Sequence, residues 1–160
     1  MNSTTTRRKL LIAGGLGIAA GATVVRAATP QTAVSSGTTA VERQNVKLLK
    51  AFWADWDTGD LDVDRLVERY MAPDVLVRWT DDTPALKGNA AAAAAAKASM
   101  PKGSRALIRL HGLFAHGPLV ASNRIDTIKV PGKPDVIFNT AGVAIVKDGK
   151  IVEYTDYIVR

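Results

Sequence analysis

The chain contains no cysteine, so disulfides and thiol chemistry are excluded. It has only two histidines, His111 and His116. With no thiolate to join them, a dedicated zinc or iron site is not expected, although carboxylates could take a hard cation. Neither histidine is paired with a plausible nucleophile, no Ser-His-Asp order stands out, and His116 beside Gly117-Pro118 reads as a turn residue. Acidic residues are missing before residue 28, where Arg7, Arg8, Lys9 and Arg26 all lie. Setting that stretch aside takes the basic residues from 21 to 17 against 15 acidic ones, so the formal charge of +6 falls to +2. A balance that close to neutral is no footprint for nucleic acid. A long hydrophobic run is missing too. Leu10 to Val25 is apolar but broken by Gly14, Gly15, Gly17 and Gly21, and it falls short of the roughly 20 residues a membrane span needs.

What is present is enough for one domain. The length of 160 residues argues for a single unit, and 47% hydrophobic residues can build a core. Residues 1–27 read as an address rather than as fold. Thr6-Arg7-Arg8-Lys9-Leu10-Leu11 resembles a twin-arginine export motif, with cleavage expected after Ala27. The resemblance implies the twin-arginine export machinery as a partner and a periplasmic or secreted destination. Residues 28–38 are small and polar and read as a linker, leaving 39–160 as the domain.

Within that domain Thr39 and Glu42 have the spacing of a capping box. The helix after them carries Val46, Leu49, Phe52, Trp53 and Trp56 on one stripe, where the aromatic residues serve helix packing or a cavity wall. Asp57-Thr58-Gly59-Asp60 ends it. A second helix runs from about Asp62 to Met71 and stops before Pro73. Val75 to Thr80 is a first strand, Asp81 to Gly88 a loop, and the alanine-rich stretch from Asn89 to Met100 a third helix. The period then changes to two, with strands over Arg105–Ala115, Val120–Val130, Val136–Val146 and Ile151–Val159. Asp148-Gly149 is a hairpin signal between the last two. This order predicts an α+β fold, a curved, mixed and mostly antiparallel sheet closed by N-terminal helices into a cone around a cavity.

Alternation along the strands groups the polar residues. Ser122, Arg124 and Asp126 share one face of their strand, and Tyr154, Asp156 and Ile158 share one face of the last. Asp156 stands among Tyr, Ile and Val, an apolar setting for a carboxylate. One arginine between two aspartates can offset the cost of burying both, and two carboxylates in different environments can divide acid and base roles. An exposed Arg-x-Asp pair is the plainer reading of the same residues. The acids Asp55, Asp57, Asp60, Asp62 and Asp64 lack the glycine and glutamate of a calcium loop and read as a solvated helix junction.

Three segments together resemble the limonene-1,2-epoxide hydrolase family: Asn123-Arg124-Ile125-Asp126, Phe138-Asn139-Thr140-Ala141-Gly142-Val143, and the run from Asp148 to Tyr157 that ends in Asp156-Tyr157. The wider layout from Val41 to Ile158, with Gly59-Asp60 between the early helices and Lys87-Gly88 before the alanine helix, is similar to the superfamily of ketosteroid isomerases, SnoaL-like cyclases and nuclear transport factor 2. The resemblance implies a cone fold that is often a homodimer through its sheet. It implies hydrolysis of an epoxide on a small apolar molecule, with water as co-substrate and no cofactor. In its terms Asp156 is the base that takes a proton from water, Asp126 the acid that protonates the epoxide oxygen, and Arg124 the residue that holds both.

The chain departs from that pattern on the first strand. The family holds its water with a tyrosine and an asparagine there, and this chain has Leu76-Val77-Arg78-Trp79-Thr80. Thr80, Asp82 and Asn139 are candidates to substitute, and Trp79, Thr80, Asn139 and Tyr154 are the expected substrate contacts. Arg78 could face the cavity and favour an anion, or face outward. Two alternatives share the fold: a SnoaL-like isomerase or cyclase, and a non-catalytic small-molecule-binding protein. A ketosteroid isomerase would carry an acid within Thr140-Ala141-Gly142-Val143, and none is there.

Overall fold

The computed structural model describes residues 38–57 and 61–159, all within one compact unit. Residues 1–37, which hold the expected export signal and most of the expected linker, and residues 58–60, with Gly59-Asp60, lie outside the described residues. The elements run α1 (Ala40–Trp56), α2 (Val63–Tyr70), β1 (Met71–Arg78), β2 (Leu86–Lys87), α3 (Asn89–Ser99), β3 (Arg105–His116), β4 (Leu119–Lys129), β5 (Val136–Lys147) and β6 (Lys150–Val159). They form an α+β fold with one open six-stranded sheet in the order β2-β1-β6-β5-β4-β3. β3 to β6 are an antiparallel meander, and β1 joins it parallel to β6.

The helices begin where local chemistry favours it. Thr39 caps α1, and Glu42 completes the capping box by accepting from the Thr39 backbone N–H at 2.7 Å. Asp62 caps α2 by accepting from Arg65 N–H at 3.1 Å. The acids of the junction pair with neighbouring cations: Asp55 with Arg69 at 2.9 Å, Asp57 with Arg105 at 3.5 Å and Asp64 with Lys97 at 2.7 Å. α3 buries Ala92, Ala93 and Ala96; side chains this small let the helix lie close to its neighbours. None of the helices among the described residues is long and apolar enough to cross a membrane.

Two details differ from the sequence expectation. β1 begins at Met71, directly at the end of α2, and runs through Pro73, with a register shift against β6 between Met71 and Leu76. The irregularity spans the proline, which cannot donate a ladder hydrogen bond. The expected loop from Asp81 to Gly88 contains the two-residue strand β2, which pairs with Leu76 and Val77. The tight turn at Asp148-Gly149 behaves as its sequence suggests, with φ of 50° and 71°.

The inner face of the sheet packs on the helices. Leu49, Phe52, Trp53, Val67, Val75, Val77, Ile151 and Tyr154 form its core. Arg78 alternates with Val77 and pairs in register with Thr155, so it belongs to the outer face rather than to the cavity.

Candidate active site

The period of two brings Ser122, Arg124 and Asp126 to the inner face of β4, and Tyr154, Asp156 and Ile158 to the inner face of β6. Between them lies β5. Its inner positions in register are Thr140 opposite Arg124 and Gly142 opposite both Ser122 and Asp156. Strands spaced by about 4.8 Å put β4 and β6 about 10 Å apart. An aspartate cannot span that distance, but an arginine can if nothing on β5 stands in the way. Gly142 supplies the opening. A Cβ added there would lie 2.6 Å from the Tyr154 hydroxyl and 2.7 Å from both Arg124 Nη1 and Ser122 Oγ.

Arg124 is 1% exposed and uses all of its fork. Nε donates to Asp126 Oδ1 and Oδ2 at 2.8 and 3.0 Å. Nη2 donates to Asp156 Oδ2 at 2.6 Å. Nη1 donates to the Tyr154 hydroxyl oxygen at 3.0 Å and to Ser122 Oγ at 3.5 Å. The Tyr154 hydroxyl in turn donates to Asp156 Oδ1 at 2.5 Å. Above the guanidinium lies the Trp53 ring, 3.8 Å from its central carbon to the ring centre, a cation-π stack.

Burial sets the electrostatics. Asp156 is 6% exposed, and desolvation pushes its pKa above the usual carboxylate value although hydrogen bonds from Arg124 and Tyr154 pull the other way. Tyr154 is pushed well above the ordinary phenol value, first by burial and then by the charge of Asp156. Burial works against the charge on Arg124, but Tyr154, Asp156 and Asp126 outweigh it and hold the guanidinium protonated.

Part of this set borders a cavity of about 260 Å³. Arg124, Asp126 and Asp156 line it, together with Thr80 and Met100. Its aromatic wall is Trp53 and Trp56 from α1, Trp79 after β1 and Phe138 from β5. The mixture of an apolar wall with a few convergent polar groups is that of a small-molecule site. Among the described residues, no group of His, Asp or Glu side chains is arranged to hold a metal ion.

The expected substrate contacts divide. Trp79 and Thr80 line the cavity, with the Trp79 indole tied to Ala92 O at 2.9 Å. Tyr154 is 1% exposed and lies behind the carboxylate, bonded to Asp156 and Arg124 rather than forming the wall. Asn139 is not brought to the cavity. It is exposed on the outer face, in register with Ile125 and Val159, because Phe138 and Thr140 on either side of it point inward. Asp82 is exposed in a turn. The sequence reading missed Gly142 and the stacking role of Trp53. A glycine inside a strand next to two chemistry-bearing strands was the available signal.

No family model matches the chain, and no curated protein matches it in sequence. Solved structures do. An LEH-like epoxide hydrolase of M. tuberculosis is 20% identical, with a TM-score of 0.62 over 74% of this chain and 84% of its own. A protein assigned as a SnoaL-like polyketide cyclase, from a Jannaschia species, is 16% identical, with a TM-score of 0.66 over 76% of this chain and 90% of its own. An NTF-2-like protein of unknown function from Burkholderia xenovorans is 17% identical, with a TM-score of 0.57 over 74% of this chain and 84% of its own. The chain therefore has the fold shared by SnoaL-like and nuclear transport factor 2-like proteins. That fold carries more than one chemistry, so function has to be argued from the site.

Proposed function

We propose that the protein hydrolyses an epoxide on a small apolar molecule to a diol, in the manner of limonene-1,2-epoxide hydrolases. The observation that carries this reading is Arg124 bonded to Asp126 and Asp156 at once, beside an apolar cavity of about 260 Å³. Asp156 as carboxylate takes a proton from water while the water oxygen bonds to one epoxide carbon. The carbon–oxygen bond of the ring breaks as Asp126 gives its proton to the departing oxygen. The diol forms in one step, and the proton on Asp156 returns to Asp126 through solvent. Burial helps here, because a base whose pKa lies above the usual carboxylate value accepts a proton more readily. No cofactor enters this route.

The test is product formation. Purified protein should convert limonene oxide or cyclohexene oxide to diol, and Asp156→Asn should abolish it. Identical, product-free traces from wild type and Asp156→Asn across an epoxide panel would remove the reading. One observation favours a second reading, an isomerase, cyclase or non-catalytic binding protein on the same fold. Asp156 Oδ1 is already taken by the Tyr154 hydroxyl at 2.5 Å, which leaves less of the carboxylate free for water. A ligand that raises the melting temperature without turnover would support it.

Two further readings accompany the first. The outer sheet face carries Phe114, 60% exposed, and Tyr157, 44% exposed, and fits a homodimer formed through the sheet. Residues 1–27 fit twin-arginine export to the periplasm or beyond.

A further inference from the structure

The cavity bordered by Arg124 has a neighbour. A second hollow of about 210 Å³ lies between the start of α2, the end of α3 and the start of β3, with Leu61, Val63, Pro101 and Ser104 among its walls. It reaches the surface at Lys97 and Arg105, which are exposed and paired with Asp64 and Asp57. The two hollows share three lining residues, Trp56, Met100 and Ala106, which therefore form the wall between them.

Two of the three are fixed. Trp56 is buried and packed among the rings of Phe52, Trp53 and Trp79, with centres 5.8, 6.0 and 5.4 Å away. Ala106 is buried, carries only a methyl group, and is tied into the sheet opposite Ile128. Met100 differs. It is half-buried at the end of α3, where the chain turns into Pro101. Its unbranched thioether is an adaptable filler of irregular gaps. Met100 is thus the part of the wall whose size can change without rebuilding the core or the sheet.

Its place bears on substrate choice. Arg124, Asp126 and Asp156 stand on β4 and β6 and fix where a reacting oxygen must lie. The rest of a bound molecule must extend along the apolar wall, and Met100 closes that wall from α3. A chain that passed it would enter the second hollow and add about 210 Å³ to the 260 Å³ of the first. We propose that Met100 sets substrate length, admitting epoxides on a compact ring or short chain and shutting out those with a longer unbranched alkyl tail. This deepens the hydrolase reading and rests on it for turnover, but the length limit requires only that a ligand occupies the cavity.

All three tryptophans of the chain line the cavity, so their fluorescence reports binding in the full-length protein. The probes are cyclohexanones with an unbranched 4-alkyl chain of one to seven carbons. Each methylene taken out of water strengthens binding roughly fourfold. Affinity for wild type should therefore climb with chain length to a cut-off and fall beyond it. In Met100→Ala the cut-off should move outward by about two carbons or more, and the heptyl ligand should gain about tenfold or more. Met100→Leu, of similar volume, should keep the wild-type cut-off. If Met100→Ala does not fold, Met100→Val shortens the same side chain and is read in the same way. An unmoved cut-off in the folded shortened variant, no cut-off in wild type, or no binding of any of these ketones overturns the proposal. With the matching 4-alkylcyclohexene oxides, kcat/KM should show the same cut-offs and the same shift. Turnover whose length limit ignores Met100 overturns its role in substrate choice. Absence of diol from wild type removes the hydrolase reading alone and leaves the ketone cut-off to decide the place of Met100.

Discussion

Arg124 on β4 reaches Asp156 on β6 by passing over Gly142 on β5, whose missing side chain is the space the guanidinium occupies. The three groups nearest that space are Tyr154, Arg124 and Ser122, all members of one hydrogen-bonded set. The bridge between the carboxylates thus depends on a residue that carries no chemistry of its own.

Gly142→Ala tests this dependence. The new methyl group would stand 2.6 to 2.7 Å from three polar atoms that are themselves buried, so Arg124 must withdraw or the sheet must shift. Overpacking of this kind costs about 1–3 kcal/mol, and withdrawal also unpairs Asp156. Urea unfolding should show that loss, and diol formation should fall with it. A variant with wild-type stability and turnover would mean that Arg124 has another route to Asp156.

Arg124→Leu removes the shared partner and leaves two acids facing an apolar cavity. Breaking a buried ion pair from one side costs roughly 3–5 kcal/mol. The penalty should depend on pH, because protonation relieves it. Without Arg124 only the Tyr154 hydrogen bond opposes the burial of Asp156, and its raised pKa rises further. The difference in stability between wild type and variant should therefore be larger at pH 8 than at pH 5. An equal difference at both values would show that the carboxylates are not what Arg124 stabilises.

Much of this site is legible in the strand alternation. Ser122, Arg124 and Asp126 fall on one face by counting, as do Tyr154 and Asp156, and the hairpin signals join β3 to β6 in order. Counting also places Asn139 outward once Phe138 is known to face in, but nothing local says which face of β5 is inner. The parallel pairing of β1 with β6 joins residues far apart in sequence and leaves no local signature. The strand through Pro73 reads as a break because proline cannot donate to the ladder, and β2, two residues long, is too short for an alternation to show. The stack of Trp53 on Arg124 brings together α1 and β4, and a helical stripe of aromatic residues does not reveal which of them meets a charge.

Tyr154→Phe should move the pH profile in one direction. The Tyr154 hydroxyl donates to Asp156 and lowers its pKa, against the larger upward push of burial. Removing the hydroxyl leaves the push and weakens the pull, so the Asp156 pKa rises further. If Asp156 must be ionised to act, kcat/KM climbs as pH rises through that pKa, and in Tyr154→Phe the climb should start at higher pH. Stability follows the same sign. A carboxyl raised in the folded state contributes most below its unfolded pKa and loses that contribution as pH rises through its folded value. A shift of the profile toward lower pH in the variant would contradict this account.

Glu42 gives the opposite sign far from the cavity. Its Oε1 accepts from Gly117 N–H at 2.9 Å, fastening the β3–β4 hairpin, and its Oε2 accepts from Thr39 N–H at 2.7 Å. Asn45, one turn on, donates to Gly117 O at 3.0 Å and completes the clasp between α1 and the hairpin. The backbone bond from Gly117, then that from Thr39, holds the Glu42 pKa below its ordinary value of 4.5. A depressed carboxylate contributes stability that is present above the unfolded pKa and lost as pH falls through the folded one. Wild type should therefore lose melting temperature as pH drops below about 4.5. Glu42→Gln, less stable at pH 7, should lose less over the same range, so the two curves converge toward acid. Parallel curves from pH 7 to pH 3 would mean that the Glu42 carboxylate does not hold the hairpin to α1 by charge.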